Sequence, residues 1–469
     1  MMNDSEHADR AARPVAIAYV GGGSLNWAPN LMADLAADGR LAAEVRLYDL
    51  DPAAARRNAR MGARFAGVSA GAPARYRACD TLAEALAGAD VVVISILPGR
   101  LEDMARDIDI PARYGIAQAV GDTVGPGGFV RAMRAIPMLA EIGRAIGTHA
   151  PGAFVCNLTN PMSVLTGALH AAFPGIRAWG ECHEVTKIRR QVAEIANREA
   201  GARVATFRDV QVNVLGINHF TFVDRIVLHG RDMMPAYRAF AEAHAEAGVD
   251  ETVPGKDPEH DRYFGSRCRV KFDLLRRFGL PGAAGDRHLA EFLPGEEYLR
   301  DPEGWGFALT PVAYRVRDRD ARARRADDLA EGRAAPVAKR SDEALVDQIA
   351  ALTGGAAFVS NVNLPNRGQI ANLPDGAVVE TNALFSGLGV QAVEAGRLPE
   401  PLAGIVADHA ARQTALLDAV MAGDAAALFP LFHAYPLVAH LSEDRARALF
   451  AEMVAATAAW LPDSLRGGA

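Results

Sequence analysis

VAIAYVGGGS, residues 15–24, is an apolar β-strand pattern that runs directly into a glycine-rich turn, and residues 27–37 then show a helical pattern. A strand, a glycine turn and a helix in this order are typical of a dinucleotide-binding unit. Gly21 permits the tight turn, Gly23 lets the backbone approach a pyrophosphate, and Ser24 leads into the helix N-terminus on which the pyrophosphate sits. We therefore predict cofactor-binding roles for Gly21, Gly23 and Ser24.

An acidic residue in the second strand supports the same interpretation. Asp49 stands near the end of the strand pattern at residues 44–50. An acid at this place binds the ribose hydroxyls and disfavours a 2′-phosphate. The third glycine of the dinucleotide motif is replaced by Asn26, so the motif is imperfect, but Asp49 favours NAD over NADP.

Strand and helix patterns alternate through the first 180 residues, which predicts an α/β fold with a Rossmann-like, doubly wound parallel sheet. Because 469 residues are many for one core, we expect more than one domain. We predict a flexible tail at residues 1–13, an NAD-binding domain at residues 14–180, and an elaborated α+β domain for metal binding, substrate binding and oligomerisation at residues 181–469.

The second predicted domain has less regular patterns. Residues 210–215 and 220–228 are predicted to form an antiparallel hairpin or meander outside the parallel sheet, and residues 360–380 a loop with strand ends. Residues 398–461 have a helical pattern, and residues 251–270 resemble an active-site loop. The Arg- and Asp-rich run at residues 315–340 is interpreted as a solvated helix with intrahelical ion pairs.

Composition excludes several functional classes. The net charge of −7 gives no basic surface for nucleic acid. No apolar stretch approaches the roughly 18 residues that a membrane span needs. Four cysteines are too few and too scattered for a disulfide framework. We expect a cytoplasmic protein that binds neither nucleic acid nor a membrane.

Two asparagines flank the end of the predicted strand at residues 153–158. Asn157 and Asn160 lie in the segment CNLTNP at residues 156–161. Ligands of open α/β sheets bind beyond the carboxyl ends of the strands, where an amide can bond a ribose or substrate hydroxyl. The alternative is a plain strand–turn–helix junction.

Candidate metal ligands stand in two later segments, GECHEV at residues 180–185 and GINH at residues 216–219. Cys182 and His219 offer a thiolate and an imidazole, which are ligands of transition metals. Their separation of 37 positions does not itself prove a site. His183 and Glu184 add acid–base capacity, and the alternative is an inert buried cysteine with a hydrogen-bonded histidine.

The segment GDRHLAEF at residues 285–292 brings together an acid, a guanidinium and an imidazole. Arg287 has the geometry to bind a substrate carboxylate or phosphate through two hydrogen bonds. The alternative is a helix capped by Asp286 with charges in solvent.

Together these motifs resemble glycoside hydrolase family 4, whose NAD-dependent members depart from the usual two-carboxylate scheme. The resemblance covers nearly the whole chain and implies a fold similar to lactate and malate dehydrogenases, with dimers or tetramers common. The resemblance rests on six segments: the glycine turn, GDT at residues 121–123, NLTNP at 157–161, the tetrad CHEV at 182–185, NH at 218–219, and NLPN with NLP at 363–366 and 372–374.

The resemblance implies NAD and a divalent metal, usually manganese, as cofactors. In this family, the sugar is oxidised at C3, loses its C2 proton, releases its C1 substituent, takes up water and is reduced again. The net reaction is hydrolysis. Cys182 and His219 would be the metal ligands, Asn157 a cofactor contact and Asn160 a contact to a substrate hydroxyl.

The tetrad Cys182-His183-Glu184-Val185 resembles that of α-galacturonidases in the family. A uronic acid needs a cation for its C6 carboxylate, and Arg287 is the candidate, with Arg267 behind it. The alternatives are an α-galactosidase, α-glucosidase or α-glucuronidase of the same family, a true NAD-dependent dehydrogenase acting on a 2-hydroxy acid or a sugar, and an NAD-binding sensor without catalysis.

The general acid and base depart from the family pattern. The position that holds an Asp acid in some members is His183 here, so His183 or Asp122 would protonate the leaving oxygen. The family's Tyr base has no counterpart in residues 278–284. Asp286, His288, Tyr263 or a metal-bound hydroxide would take its place.

Overall fold

The computed structural model describes residues 13–251 and 258–466, so the predicted tail lies outside the described residues except for Arg13. The strands in these residues are β1 (Val15–Val20), β2 (Ala43–Tyr48), β3 (Ala74–Ala78), β4 (Val91–Ile94), β5 (Phe154–Asn157), β6 (Arg177–Gly180), β7 (Val210–Ile217), β8 (Phe220–Leu228), β9 (Arg231–Asp232), β10 (Phe358–Pro365), β11 (Val378–Ser386) and β12 (Gly389–Ala392).

The helices surround these strands on both faces of the main sheet. They are α1 (Trp27–Asp38), α2 (Pro52–Ala66), α3 (Leu82–Leu86), α4 (Leu101–Arg113), α5 (Gly125–His149), α6 (Met162–Ala172), α7 (Thr186–Ala200), α8 (Met234–Ala243), α9 (Pro258–Phe264), α10 (Arg269–Phe278), α11 (Asp286–Leu289), α12 (Val312–Ala330), α13 (Leu345–Leu352), α14 (Glu400–Ala422), α15 (Ala425–His433), α16 (Glu443–Thr457) and α17 (Asp463–Arg466). Short 3-10 turns occur at Phe207–Asp209, Ala290–Phe292 and Ala458–Trp460.

The first six strands form a parallel sheet in the order β3-β2-β1-β4-β5-β6. This is the strand order of a Rossmann sheet, in which the direction of strand addition reverses between β1 and β4. Both strands at this switch point are almost wholly buried, as expected where helices cover both faces. The predicted Rossmann-like fold is confirmed, and its crevice lies where β1 ends in the glycine turn.

The same sheet continues with antiparallel strands. β10 joins β6 where Asn363 faces Gly180, and β11 and β12 follow. The sequence predicted a loop with strand ends at residues 360–380, and this is confirmed, because β10 ends at Pro365, β11 begins at Val378 and the loop lies between them. The sheet therefore crosses the predicted domain boundary at residue 180, and the boundary stays a prediction.

The predicted hairpin is confirmed. β7 and β8 pair antiparallel, and the turn between them places His219 in the left-handed region, with a φ of 67°. The helical pattern at residues 398–461 is confirmed by α14, α15 and α16. Within residues 13–251 and 258–466, no helix is both long enough and apolar enough to cross a membrane.

Candidate active site

The glycine turn forms a cradle at the switch point of the sheet. Gly21 has a φ of 90°, and a Cβ there would lie 2.1 Å from the carbonyl oxygen of Ser95. The backbone N–H of Gly23 donates to Asp49 at 2.8 Å, and a Cβ on Gly23 would lie 2.9 Å from the same carboxylate. A side chain at either position would clash with the surrounding protein, so the tight turn requires glycine at both. The Asp49 carboxylate stands at the edge of this turn, where an acid bonds ribose hydroxyls, and this arrangement fits NAD.

Two other predicted cofactor residues shape the backbone around the cradle. Ser24 accepts a hydrogen bond from the N–H of Trp27 at 3.2 Å, at the start of α1. Asn157 is fully buried and bonds both the N–H and the carbonyl oxygen of Thr159, at 3.0 and 3.1 Å. These bonds fix the turn and the end of β5. Direct contact of either residue with NAD stays a prediction.

The neighbours of His219 determine which of its two ring nitrogens carries the proton. Thr123 donates its hydroxyl proton to Asp122 at 2.7 Å, and its Oγ1 lies 2.9 Å from Nδ1 of His219. Burial would raise the pKa of Asp122, but the guanidinium groups of Arg131 and Arg315 oppose it, and the pKa lies well below its usual range. Because the Thr123 hydroxyl uses its own proton for Asp122, its oxygen must accept a hydrogen bond from the Nδ1–H group of His219. The lone pair of His219 is therefore on Nε2.

Cys182 lies beside the turn that carries His219. Burial and the Glu380 carboxylate raise the pKa of the Cys182 thiol well above its usual range, while contact with Asn218 opposes them. The Oδ1 atom of Asn218 is buried without a hydrogen-bond partner in the described residues. A buried thiol, an imidazole lone pair and an orphaned amide oxygen together fit a divalent transition metal, which would hold the thiolate.

The protein supplies few ligands to this site. In the described parts of the chain, no group of three or more His, Cys, Asp or Glu side chains is arranged to hold a metal ion. The pair Cys182 and His219 would therefore leave several coordination positions to water or substrate. Open positions of this kind are a feature of catalytic rather than structural metal sites.

His288 packs directly on His219, with the ring centroids 3.8 Å apart. Burial and His219 lower the pKa of His288 well below its usual range, so its ring is neutral. Its Nε2 lies 3.9 Å from Glu184, and its Nδ1 is buried without a partner in the described residues. Glu184 also accepts the N–H of Gly285 at 2.9 Å, which joins the Cys182 tetrad to the segment at residues 285–292.

His183 lies beside a carboxylate that keeps its ring protonated. Its Nδ1 lies 3.3 Å from Glu343, and its ring packs against Trp27. Loss of solvent would lower its pKa, but the Glu343 carboxylate outweighs this and raises the pKa of His183 to about 9. At neutral pH His183 therefore carries a proton, whereas Asp122 does not.

Asp286 serves as an anchor in the structure. It is fully buried and accepts the N–H groups of Val270 and Lys271, at 3.3 and 3.1 Å, at the start of α10. Burial raises the pKa of Asp286 to about 6. Tyr263 packs against another tyrosine ring. Of the three side chains that the sequence offered as the base, His288 is the one in contact with a predicted metal ligand.

Two arginines stack on one aromatic ring next to this cluster. The guanidinium carbons of Arg287 and Arg315 lie 4.9 and 5.9 Å from the ring centroid of Phe264. Nε of Arg287, and Nε and Nη2 of Arg315, are buried without a hydrogen-bond partner among residues 13–251 and 258–466. Burial and Arg315 lower the pKa of Arg287 to about 10. Because buried cations without partners are unfavourable, these donors indicate an anion site.

The two arginines that the sequence predicted for a substrate carboxylate lie in different surroundings. Arg287 is buried beside the histidine cluster, and its contact with a carboxylate stays a prediction, whereas Arg267 is half-exposed and pairs with Asp250 at 3.0 Å. Arg315 was missed because it lies in the charged run that was interpreted as solvated. Tyr314 beside it is buried, and an aromatic residue within such a run was the available signal.

Asn160 lies next to Asp122. Its Nδ2 is 3.5 Å from the Asp122 carboxylate, and its carbonyl oxygen accepts Nε of Arg131 at 3.1 Å. Oδ1 of Asn160 is buried without a hydrogen-bond partner in the described residues. This free acceptor is compatible with the predicted contact to a substrate hydroxyl.

Glu291 supports the loop that carries Asp122. Its Oε1 accepts the N–H groups of Val120 and Gly121, at 2.7 and 3.0 Å. Burial raises the pKa of Glu291 to about 7, so the folded state binds this proton more tightly than the unfolded chain does. We expect this carboxyl to make the protein less stable as the pH rises from about 4.5 to about 7.

Glu291→Gln tests this expectation, because an amide oxygen can take the place of Oε1 and accept both bonds. The variant should gain about 3 kcal/mol in free energy of unfolding, relative to the wild type, between pH 4.5 and pH 8. Unfolding by urea at several pH values measures the difference. A difference that does not change with pH would contradict the shifted pKa.

The fold and the site together define a dinucleotide-binding protein of the Rossmann type, with candidate metal ligands and acid–base groups near the carboxyl ends of its strands. The model of the family 4 glycosyl hydrolases matches residues 16–198, and that of their C-terminal domain matches residues 214–438. The chain therefore belongs to glycosyl hydrolase family 4, and the predicted resemblance is confirmed.

Similar proteins cover nearly the whole chain. An alpha-galacturonidase of Bacillus subtilis is 44% identical over 440 residues, which cover 94% of this chain and 97% of the relative. An alpha-galacturonidase of Thermoanaerobacterium saccharolyticum is 42% identical over 459 residues, 97% of this chain and 98% of the relative.

Solved structures agree in fold. A Bacillus subtilis protein described as a glucosidase superposes with a TM-score of 0.89 at 44% identity, over 94% of this chain and 99% of its own. A 6-phospho-alpha-glucosidase from gut microorganisms, in complex with NAD and Mn²⁺, shares the fold at 18% identity with a TM-score of 0.76, over 96% of this chain and 99% of its own.

Proposed function

We propose that this protein is an α-galacturonidase that hydrolyses α-galacturonides and requires NAD and a divalent metal ion, with Mn²⁺ as the first choice. The observation that carries the proposal is the buried Nε of Arg287, which has no hydrogen-bond partner among the described residues and lies in the residue next to His288. A uronic acid differs from the neutral sugar in its C6 carboxylate, and this carboxylate would accept hydrogen bonds from the unpartnered arginine nitrogens. The alpha-galacturonidases at 44% and 42% identity support the substrate, and the family structure with NAD and Mn²⁺ supports the cofactors.

The cofactors would lie on the two sides of the substrate site. Gly21, Gly23 and Asp49 would hold NAD, and Cys182 and His219 would hold the metal ion. When bound, NAD accepts a hydride from C3 of the sugar and later returns it, and the metal ion polarises the oxygens at C2 and C3. The oxidised sugar has an acidic C2 proton, so its C1 substituent leaves by elimination, and addition of water makes the net reaction hydrolysis.

Three side chains would bind and orient the sugar. Arg287 and Arg315 would hold the C6 carboxylate, since their buried N–H donors have no protein acceptor in the described residues. Oδ1 of Asn160 would accept a hydrogen bond from a sugar hydroxyl. Fixing the carboxylate and a hydroxyl at once sets the position of the C2–C1 bond.

Two histidines would move the protons. His183, protonated next to Glu343, would donate its proton to the leaving oxygen at C1. The unpartnered Nδ1 of His288 would accept the C2 proton, and the Glu184 carboxylate, 3.9 Å from Nε2, would stabilise the resulting imidazolium.

A substrate panel tests the proposal. The purified protein is assayed with NAD and Mn²⁺, under reducing conditions, on α- and β-linked galacturonides, glucuronides and galactosides. We expect the α-galacturonide to be cleaved with the highest kcat/KM, and without net reduction of NAD. Faster cleavage of the α-galactoside or the α-glucuronide would assign the chain to another activity of the family, and reduced NAD that accumulates with product would indicate a dehydrogenase. In D₂O, deuterium at C2 of the product is the expected mark of the elimination route.

We also propose a homodimer or homotetramer in the cytoplasm, as is common in the family. All four cysteines are free and buried, which is compatible with a reducing compartment. The mass of the protein in solution, measured by light scattering, tests the oligomeric state.

A further inference from the structure

Glu380 on β11 is a buried carboxylate surrounded by amides. It is 1% exposed, and three asparagine side chains donate N–H groups to it. Asn361 donates to Oε1 at 2.9 Å, and Asn218 and Asn363 donate to Oε2 at 3.2 and 3.3 Å. Burial raises the pKa of Glu380 to about 7, and the three donated N–H groups oppose this shift and favour the carboxylate. As a carboxylate it offers acceptors only, so it orients every donor around it.

Two of these asparagines lead directly to the proposed metal ligands. Asn218 is the residue before His219 in the turn between β7 and β8. Asn361 has a second bond, from the same Nδ2 to the carbonyl oxygen of Cys182 at 3.1 Å. Cys182 follows β6 and His219 follows β7, so the ligands lie on different elements, and Glu380 is the group that both elements share.

We infer that Glu380 is a positioning residue that keeps Cys182 and His219 at the separation a metal ion needs, through Asn361 and Asn218. The inference rests on the metal requirement in the proposed function and is independent of the sugar. It assigns Glu380 no contact with substrate or metal. Outer hydrogen bonds of this kind orient metal ligands, and their loss commonly weakens metal binding by about 10- to 100-fold.

Glu380→Gln is the decisive variant, because it keeps the shape of the side chain and changes one acceptor into a donor. If the new NH₂ group faces Asn361, that asparagine must turn its oxygen inward and lose the bond to the Cys182 carbonyl. If it faces the other side, the N–H groups of Asn218 and Asn363 meet a donor. Either arrangement breaks a hydrogen bond that positions one of the two proposed metal ligands.

Metal binding is the measurement. We expect Glu380→Gln to raise the Kd for Mn²⁺ by about 10-fold or more and to weaken the thiolate-to-metal charge-transfer band of bound Co²⁺, while the Kd for NAD is unchanged. Asn361→Ala removes only the link to Cys182 and should also weaken the Co²⁺ band. This second variant decides the question if the first does not fold.

Glu181→Gln is the matched control. Glu181 is also a buried glutamate, stands directly before Cys182, and accepts a bond from Gln348 instead of the asparagines. Equal losses of Mn²⁺ affinity in both Glu→Gln variants, or wild-type affinity in Glu380→Gln, would overturn the inference. A wild-type protein that binds no divalent metal would instead overturn the metal requirement of the proposed function, and the role of Glu380 with it.

Discussion

Cys182→Ser is expected to abolish divalent-metal binding and, with it, hydrolysis of the α-galacturonide. Cys182 and His219 are the two protein ligands proposed for the metal, so the loss of either removes half of the protein's contribution. Serine keeps the size of the side chain but replaces a thiolate by a hydroxyl, which stays protonated at neutral pH and is a poor ligand for a transition metal. We expect a loss of at least about 100-fold in Mn²⁺ affinity, since even outer-sphere changes cost 10- to 100-fold.

The NAD cradle should survive this change, because Gly21, Gly23 and Asp49 lie on other elements. Titration of the variant with NAD should therefore give the wild-type Kd. Cys156→Ser is the control, since Cys156 is fully buried on β5 and is proposed to bind nothing. It should keep Mn²⁺ affinity even where it lowers the melting temperature. A Cys182→Ser protein with wild-type Mn²⁺ affinity would contradict the assignment of the metal ligands.

The sequence predicted the parts of the fold whose signals are local. Local patterns of four to ten residues predict the strands β1, β4 and β5 and the turn at Gly21. The loop between β10 and β11 was predicted with its strand ends from its content of Asn, Pro and Gly, but the full extent of the two strands was not, because β10 carries buried asparagines. Glu380 explains those asparagines: they are hydrogen-bonded polar residues inside the sheet, which a hydrophobic pattern cannot reveal.

In the candidate site, too, local motifs predicted some residues, and only the fold shows the roles of others. Cys182 and His219 were predicted as metal ligands from motif and residue type, and in the structure Asn218, the neighbour of His219, contacts the Cys182 thiol. Asp286 had the residue type of a base, but its carboxylate caps the backbone of α10, a use that only the fold shows. Arg315 is one of many arginines in its run, and only the packing of α12 against Phe264 distinguishes it.

Replacing Arg287 by methionine is expected to convert a uronide-selective site into one that no longer recognises the C6 carboxylate. Methionine keeps an apolar stem that can pack on Phe264 and removes the charge. Losing one partner of a buried, hydrogen-bonded charge pair commonly costs about 2–5 kcal/mol, so kcat/KM for the α-galacturonide should fall by about 30-fold or more. Any activity on the neutral α-galactoside should change little, because that sugar has no carboxylate. The ratio of the two kcat/KM values is therefore the measurement.

Arg315→Met should lower the same ratio, and the two losses should not add, because both guanidinium groups would hold one carboxylate. Arg267→Met is the matched control: Arg267 is half-exposed and paired with Asp250, so its loss should leave the ratio unchanged. Equal losses on both substrates in Arg287→Met would mean that Arg287 supports the site without reading the carboxylate. Equal losses in Arg267→Met and Arg287→Met would show that the buried position has no special role, and the carboxylate would then be bound elsewhere.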